Sequence, residues 1–299
     1  VPILTPLNSD ETVDTESLRR LVNYLIDNGV HGIWTSGTTG EFASLSNQQR
    51  LISMETVVDE VAGRVPIIGN VSMPSTQLSL QMALDVQEMG MDGVAVTPPY
   101  YYPHAQDELL DHYRYISDRS GLPLWVYNIP STVKTAVTPG TIATLASEGA
   151  VVGVKDSSGA GELLAELNVL CEQGNIPLLR FLGTVYRTTC AGSVGVEGVI
   201  PAVANLVPRA CAQGWEAGER GDAETVRKCN AQLVTVGKVP QLAQGGGPNA
   251  AILSGMKSAL KLLGLLDSDT VSRPLRPLTE PEKEGIPAIL QELGLSNGS

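Results

Sequence analysis

The sequence predicts an α/β fold, a single (β/α)8 TIM barrel with an additional C-terminal helical layer. Three observations predict it. Eight short, β-branched apolar runs recur along the 299 residues. Each is followed by a segment with helical spacing of apolar residues. Finally, neither GxGxxG nor GxxxxGKS/T follows an early run, which removes the usual signature of an open doubly wound sheet.

The runs span residues 1–7, 32–36, 65–71, 93–98, 122–128, 151–155, 178–183 and 195–203. Strands that are apolar nearly throughout are covered on both faces, as in a closed parallel barrel. Between them the spacing predicts helices such as 15–28, with Leu18, Leu21, Val22, Leu25 and Ile26 on one face, and 76–89, with Leu80, Ala83, Leu84 and Val86. Asp14 and Ser75 are expected N-caps of these two, and Gly29 and Gly90 are expected beyond their ends. After the eighth run come helix candidates at 207–218, 222–236, 250–263 and 280–293. The expected division is a catalytic core at 1–206 and a helical extension at 207–299, together one structural unit.

The charge balance is 20 Lys plus Arg against 32 Asp plus Glu, a formal net charge of −12. That repels nucleic acid and anionic lipid and favours a small-molecule substrate. No stretch reaches the roughly 18 to 20 apolar residues of a membrane helix, and the expected location is the cytoplasm. The chain begins at Val1 inside the first run, so an upstream targeting segment is left open. Cys171, Cys190, Cys211 and Cys229 lack paired spacing and read as reduced packing residues. His31, His104 and His112 are dispersed, and no metal site is expected.

In such barrels chemistry sits at the C-terminal strand ends, and three ends are unusual. The second run leads into Gly37-Thr38-Thr39-Gly40-Glu41, a turn whose amides and hydroxyls can converge on a carboxylate. It reads equally as an ordinary Gly-rich connection. The fifth ends Tyr127-Asn128-Ile129-Pro130 and offers a phenol, which alone would be a structural tyrosine. The sixth ends Gly153-Val154-Lys155-Asp156 and places an amine after an apolar strand, where burial would lower its pKa toward that of a Schiff-base nucleophile. A surface lysine is the alternative. Together the three ends supply what is needed to bind a 2-oxo acid, attack its carbonyl and move protons.

By these three motifs the chain resembles the superfamily of dihydrodipicolinate synthase and N-acetylneuraminate lyase, the class I pyruvate aldolases, over essentially its whole length. The matches Thr5-Pro6, Pro98 to Tyr101, Gly183 and Gly198-Val199-Ile200 add to it. The resemblance implies catalytic roles for four residues. Lys155 forms the imine, Tyr127 shuttles protons, and Thr38 links Tyr127 to Tyr101, which reaches a neighbouring subunit's site. It further implies substrate binding by Gly37, Thr39, Ser131, Thr132, Gly183, Thr184 and Ile200. No cofactor is implied, and the expected assembly is a homotetramer, a dimer of dimers.

Two departures bear on the second substrate. The family's synthases carry a carboxylate-gripping arginine where this chain has Thr132, and Thr cannot make a bidentate contact. Its sialic acid lyases carry an acidic pair where this chain has Val185-Tyr186. The expectation is therefore an aldolase that cleaves a 2-keto-3-deoxy sugar acid, or a related 4-hydroxy-2-oxo acid, to pyruvate and an aldehyde. The alternatives are a 4-hydroxy-tetrahydrodipicolinate synthase, a dehydratase using the same imine, and a non-catalytic pyruvate-binding regulator.

Overall fold

The structure is a computed structural model that describes residues 1–159, 161–185 and 187–295. Tyr186, named above with Val185, lies outside the described residues. The fold class is α/β, that of a (β/α)8 barrel with added C-terminal helices, and the chain forms two compact units.

One unit comprises residues 1–66 and 202–299. Its strand, β1 (Ile33–Thr35), is wholly buried. The predicted first strand is only a parallel bridge, Pro2 opposite Trp34. Ile3 donates to the Trp34 carbonyl at 3.0 Å and Trp34 donates to that of Val1 at 2.7 Å. Pro2 has no amide with which to extend a ladder. The following helix Thr15–Asp27 starts where expected, because the Asp14 carboxylate accepts from the Ser17 amide. Helix Asn47–Val61 opens on a capping box between Ser46 and Gln49.

Four of this unit's C-terminal helices are Pro208–Arg220, Ala223–Val236, Pro248–Leu262 and Ile286–Glu292. The single helix predicted over 280–293 is two pieces, Glu280–Lys283 and Ile286–Glu292. Pro287 accounts for the break, since it lacks an amide and its ring would clash with a carbonyl one turn back. At Gly285 an added Cβ would meet Leu242 at 2.6 Å.

The other unit, residues 67–201, carries six parallel strands in chain order: β2 (Ile67–Asn70), β3 (Gly93–Val96), β4 (Leu124–Asn128), β5 (Gly153–Asp156), β6 (Leu179–Leu182) and β7 (Gly198–Val199). Each pairs with the next. Parallel neighbours need crossovers, and helices Thr76–Asp85, Gln106–Ser120, Pro139–Ser147 and Glu162–Gly174 supply those from β2 to β6. The first is shorter than predicted. Beyond Asp85 the bonds from Gln87 to Leu84 and Met89 to Val86 tighten the chain into turns before Gly90 at φ +84°. The eighth predicted run is a strand only at β7 and passes into a 3-10 turn at Ala202–Asn205.

Cys171, Cys211 and Cys229 are buried and free, as packing residues should be, whereas Cys190 is exposed.

Candidate active site

Strand alternation explains how Lys155 and Tyr127 meet. Side chains two residues apart share a face of the sheet, and the β4–β5 register sets Trp125 opposite Gly153 and Tyr127 opposite Lys155. Gly153 is obligatory, because a Cβ there would lie 2.5 Å from the Trp125 ring. Gly198 likewise makes room for Phe181, at 2.3 Å. Trp125 and Phe181 then pack edge to face with centroids 5.3 Å apart. Trp125 lies one residue pair below the Lys155 level of β4 and β5, and Phe181 is the register partner of Lys155 on β6.

Lys155 is 4 % exposed and Tyr127 is 2 % exposed. The Lys155 Nζ lies 4.2 Å from the centroid of the Tyr127 ring, a cation–π distance when the amine is charged. The next register pair clamps the two strand ends. Asn128 Nδ2 donates to Asp156 Oδ1 at 2.8 Å, and the amide and hydroxyl of Ser158 donate to the same carboxylate at 3.2 and 2.9 Å. Asn128 Oδ1 accepts from the Val137 amide at 3.0 Å, so Asn128 holds the segment after Pro130. Asp156 is completely buried, and its part in this clamp was not anticipated. A carboxylate one residue past the apolar run was the available signal.

The remaining predicted residues of this unit are spread over four strand ends. Ile200 is buried and donates its amide to Leu182 at 2.8 Å. Gly183 donates to the Asp156 carbonyl at 2.7 Å, and a Cβ there would meet Ser157 Oγ at 2.1 Å. Thr184 is half-buried. Ser131 and Thr132 are exposed on the single helical turn Pro130–Val133, where the Thr132 hydroxyl donates to the Ile129 carbonyl at 3.1 Å. Tyr101 is 83 % exposed at φ +96°, its ring edge-on to that of Tyr102 at 5.0 Å.

The other unit brings Gly37, Thr38 and Thr39 into one turn after β1. Glu41 donates its amide to the Thr38 carbonyl at 3.1 Å and Phe42 donates to Gly37 at 3.3 Å. Thr5 Oγ1 donates to the Gly40 carbonyl at 2.8 Å. Thr39 is buried and Thr38 half-buried. Glu41 anchors the turn: its Oε2 accepts from the Ser272 amide at 2.7 Å and hydroxyl at 2.6 Å, while its Oε1 pairs with Lys257. Both side chains of that pair are fully buried. Burial pulls the Lys257 amine below the ordinary lysine value, with Glu41 and Asp269 opposing. Lys257 was not anticipated, although it shares a helix face with Leu253, Met256 and Leu260, an unusual position for a lysine.

Repeated βα units with polar side chains gathered at the strand ends define the class, an α/β-barrel enzyme. The chain belongs to the dihydrodipicolinate synthetase family, which it matches over residues 1–293, and it is a lyase. A 4-hydroxy-tetrahydrodipicolinate synthase of Geobacter metallireducens is 33% identical over 295 residues, covering 99% of this chain and 98% of that one. The dihydrodipicolinate synthase of Bacteroides thetaiotaomicron superposes with a TM-score of 0.91 at 31% identity, covering 98% and 97% of the two chains. YagE, a prophage protein of this family from E. coli K12 solved in complex with pyruvate, gives a TM-score of 0.88 at 25% identity, covering 98% and 97%.

Proposed function

We propose that Lys155 attacks the 2-oxo carbon of pyruvate or a related 2-oxo acid, and that the resulting imine is the working intermediate of this lyase. The observation that carries the reading is the burial of Lys155 against the Tyr127 ring at adjacent strand ends. Attack gives a carbinolamine, and Tyr127 donates a proton to its hydroxyl as water leaves. The protonated imine then draws electrons from C3, so removal of a C3 proton gives an enamine. The enamine attacks an aldehyde, or the reverse sequence cleaves the C3–C4 bond and releases one. The imine nitrogen is the electron sink, so the scheme draws on no cofactor.

In this reading Gly37, Thr38 and Thr39 hold the carboxylate through amides and hydroxyls, orienting the carbonyl toward the amine. Tyr101 completes a proton relay in a neighbouring copy, which makes a homotetramer the working form, in the cytoplasm. Its exposed ring at a left-handed residue supports this assignment. The pyruvate complex of YagE supports the choice of 2-oxo acid.

For the second substrate, relatives matched along their full length are named 4-hydroxy-tetrahydrodipicolinate synthase, which favours condensation of the enamine with aspartate semialdehyde. One observation favours the reverse, cleavage of a 2-keto-3-deoxy sugar acid. Thr132 stands where a carboxylate-gripping arginine is expected, and its hydroxyl is committed to Ile129. Purified protein given pyruvate plus aspartate semialdehyde, and separately 2-keto-3-deoxygluconate, decides between them. Semialdehyde consumption that requires pyruvate supports the synthase. Pyruvate release from the sugar acid supports the aldolase. Neither activity, with no borohydride-trapped adduct at Lys155, would overturn the imine reading.

A further inference from the structure

Two residues that flank the Gly37–Thr39 turn occupy the left-handed backbone region, Ser36 at φ +53° and Glu41 at φ +59°. Neither is glycine. Side chains at such positions persist only where the surroundings over-determine them. Here each side chain meets a buried cation. Arg50 Nε donates to Ser36 Oγ at 3.2 Å, and Lys257 pairs with the Glu41 carboxylate.

The Glu41 end is the more completely built. Its Oε2 accepts the amide and hydroxyl of Ser272, and Lys257 Nζ also donates to the Thr270 carbonyl at 2.8 Å. The 270–272 segment and helix Pro248–Leu262 thus converge on one carboxylate at the end of the turn. A fully buried ion pair is weak evidence for stability, because desolvating both charges offsets most of their attraction, and apolar replacements of whole pairs are often tolerated. What such a pair does supply is direction: it admits one placement of the carboxylate and hence one conformation of the backbone that carries it.

We infer that Lys257 and Glu41 are positioning residues for substrate binding, holding the Gly37–Phe42 turn in the conformation in which Thr38 and Thr39 take the carboxylate of the 2-oxo acid. This rests on the carboxylate-binding role proposed above for those two threonines. Neither Lys257 nor Glu41 touches substrate in this scheme.

The test uses the full chain and three variants, Lys257→Met, Glu41→Gln and the double substitution Glu41→Gln/Lys257→Met. The double variant leaves no charge unpaired and so keeps the fold where a single variant fails to. Amide hydrogen exchange of peptides covering 37–44 and 124–128 reads the turn independently of catalysis. Borohydride trapping across a pyruvate titration reads binding.

The expected result in the double variant is exchange at least about tenfold faster in 37–44 and unchanged in 124–128. Half-saturating pyruvate rises roughly tenfold, while the adduct formed at saturation stays within about twofold of wild type. A merely structural role would instead lower the trapped amount and accelerate both peptides. A folded double variant with wild-type exchange and wild-type half-saturation overturns the inference. Thr39→Ala, measured alongside, separates the two levels. If it raises half-saturating pyruvate while the pair variants do not, only the positioning inference has failed. If faster exchange leaves half-saturation unchanged and Thr39→Ala is also silent, the carboxylate-binding reading has failed and the inference with it.

Discussion

Lys155 and Lys257 are both buried lysines, 4 % and 0 % exposed, yet the regions that hold them differ in kind. At the end of β5 the amine of Lys155 faces an aromatic ring, and the neighbouring strand positions carry Trp125 and Phe181. In helix Pro248–Leu262 the amine of Lys257 meets a carboxylate and a backbone carbonyl. Both side chains lose hydration, and Lys257 gains the Glu41 carboxylate while Lys155 packs against the Tyr127 ring. Burial alone therefore does not mark a nucleophile. The setting separates the two: Lys155 closes a strand against the Tyr127 ring, whereas Lys257 is held within its helix by Glu41 and the Thr270 carbonyl.

The comparison can be broken in several ways, beginning with the largest effect. Lys155→Ala is expected to lower turnover on the order of 10⁴-fold, about 5 kcal/mol of barrier, with little change in the urea midpoint. Steady-state kinetics beside a denaturation curve checks both halves. Lys257→Met should do the opposite. It leaves the Glu41 carboxylate buried without its counter-charge, at a cost of about 3–5 kcal/mol in unfolding free energy. If Lys257→Met proved as stable as wild type while Lys155→Ala unfolded, the assignments of the two lysines would be reversed.

A third buried base sharpens the contrast. His112 shares a 2.9 Å hydrogen bond with Thr76, and burial, helped by nearby His104, lowers its pKa from 6.5 to about 4 against a backbone contact from Thr97. The unfolded chain takes up this proton near pH 6.5 and the folded chain only near pH 4. Stability is therefore complete above about 6.5 and falls as the pH drops toward 4, by roughly 3 kcal/mol in all. The unfolding free energies of wild type and His112→Asn should diverge from the pH 7 difference over that window. Parallel curves would show that His112 carries no such penalty. The smallest effect is at the ring facing Lys155: Tyr127→Phe should slow turnover about 10²-fold, near 2.7 kcal/mol, while the urea midpoint moves little. A rate within threefold of wild type would remove the phenol from proton transfer.

Much of this was legible in the chain itself. A lysine closing an apolar run and a tyrosine closing the run before it are both visible without coordinates, and strand alternation pairs them once the register is known. Asp14 and Ser75 cap their helices as their chemistry requires. Lys257 was hidden, because its partner Glu41 lies more than 200 residues away and a helical lysine is ordinarily solvated. Asp156 is visible as a carboxylate just past the apolar run, but its clamp to Asn128 depends on a strand register that local spacing does not encode. The break at Gly285 was available in Pro287, two residues on, but the apolar periodicity of the flanking segments masks it. Tyr101 was singled out by resemblance, and its exposure reflects a loop whose conformation no propensity specifies.

The central claim is that Lys155, rather than the equally buried Lys257, carries the covalent chemistry. Borohydride reduction in the presence of pyruvate, followed by peptide mass spectrometry, tests it most directly. The account predicts a single reduced adduct on the peptide containing Lys155. Modification at Lys257, or no adduct at saturating pyruvate, would contradict it.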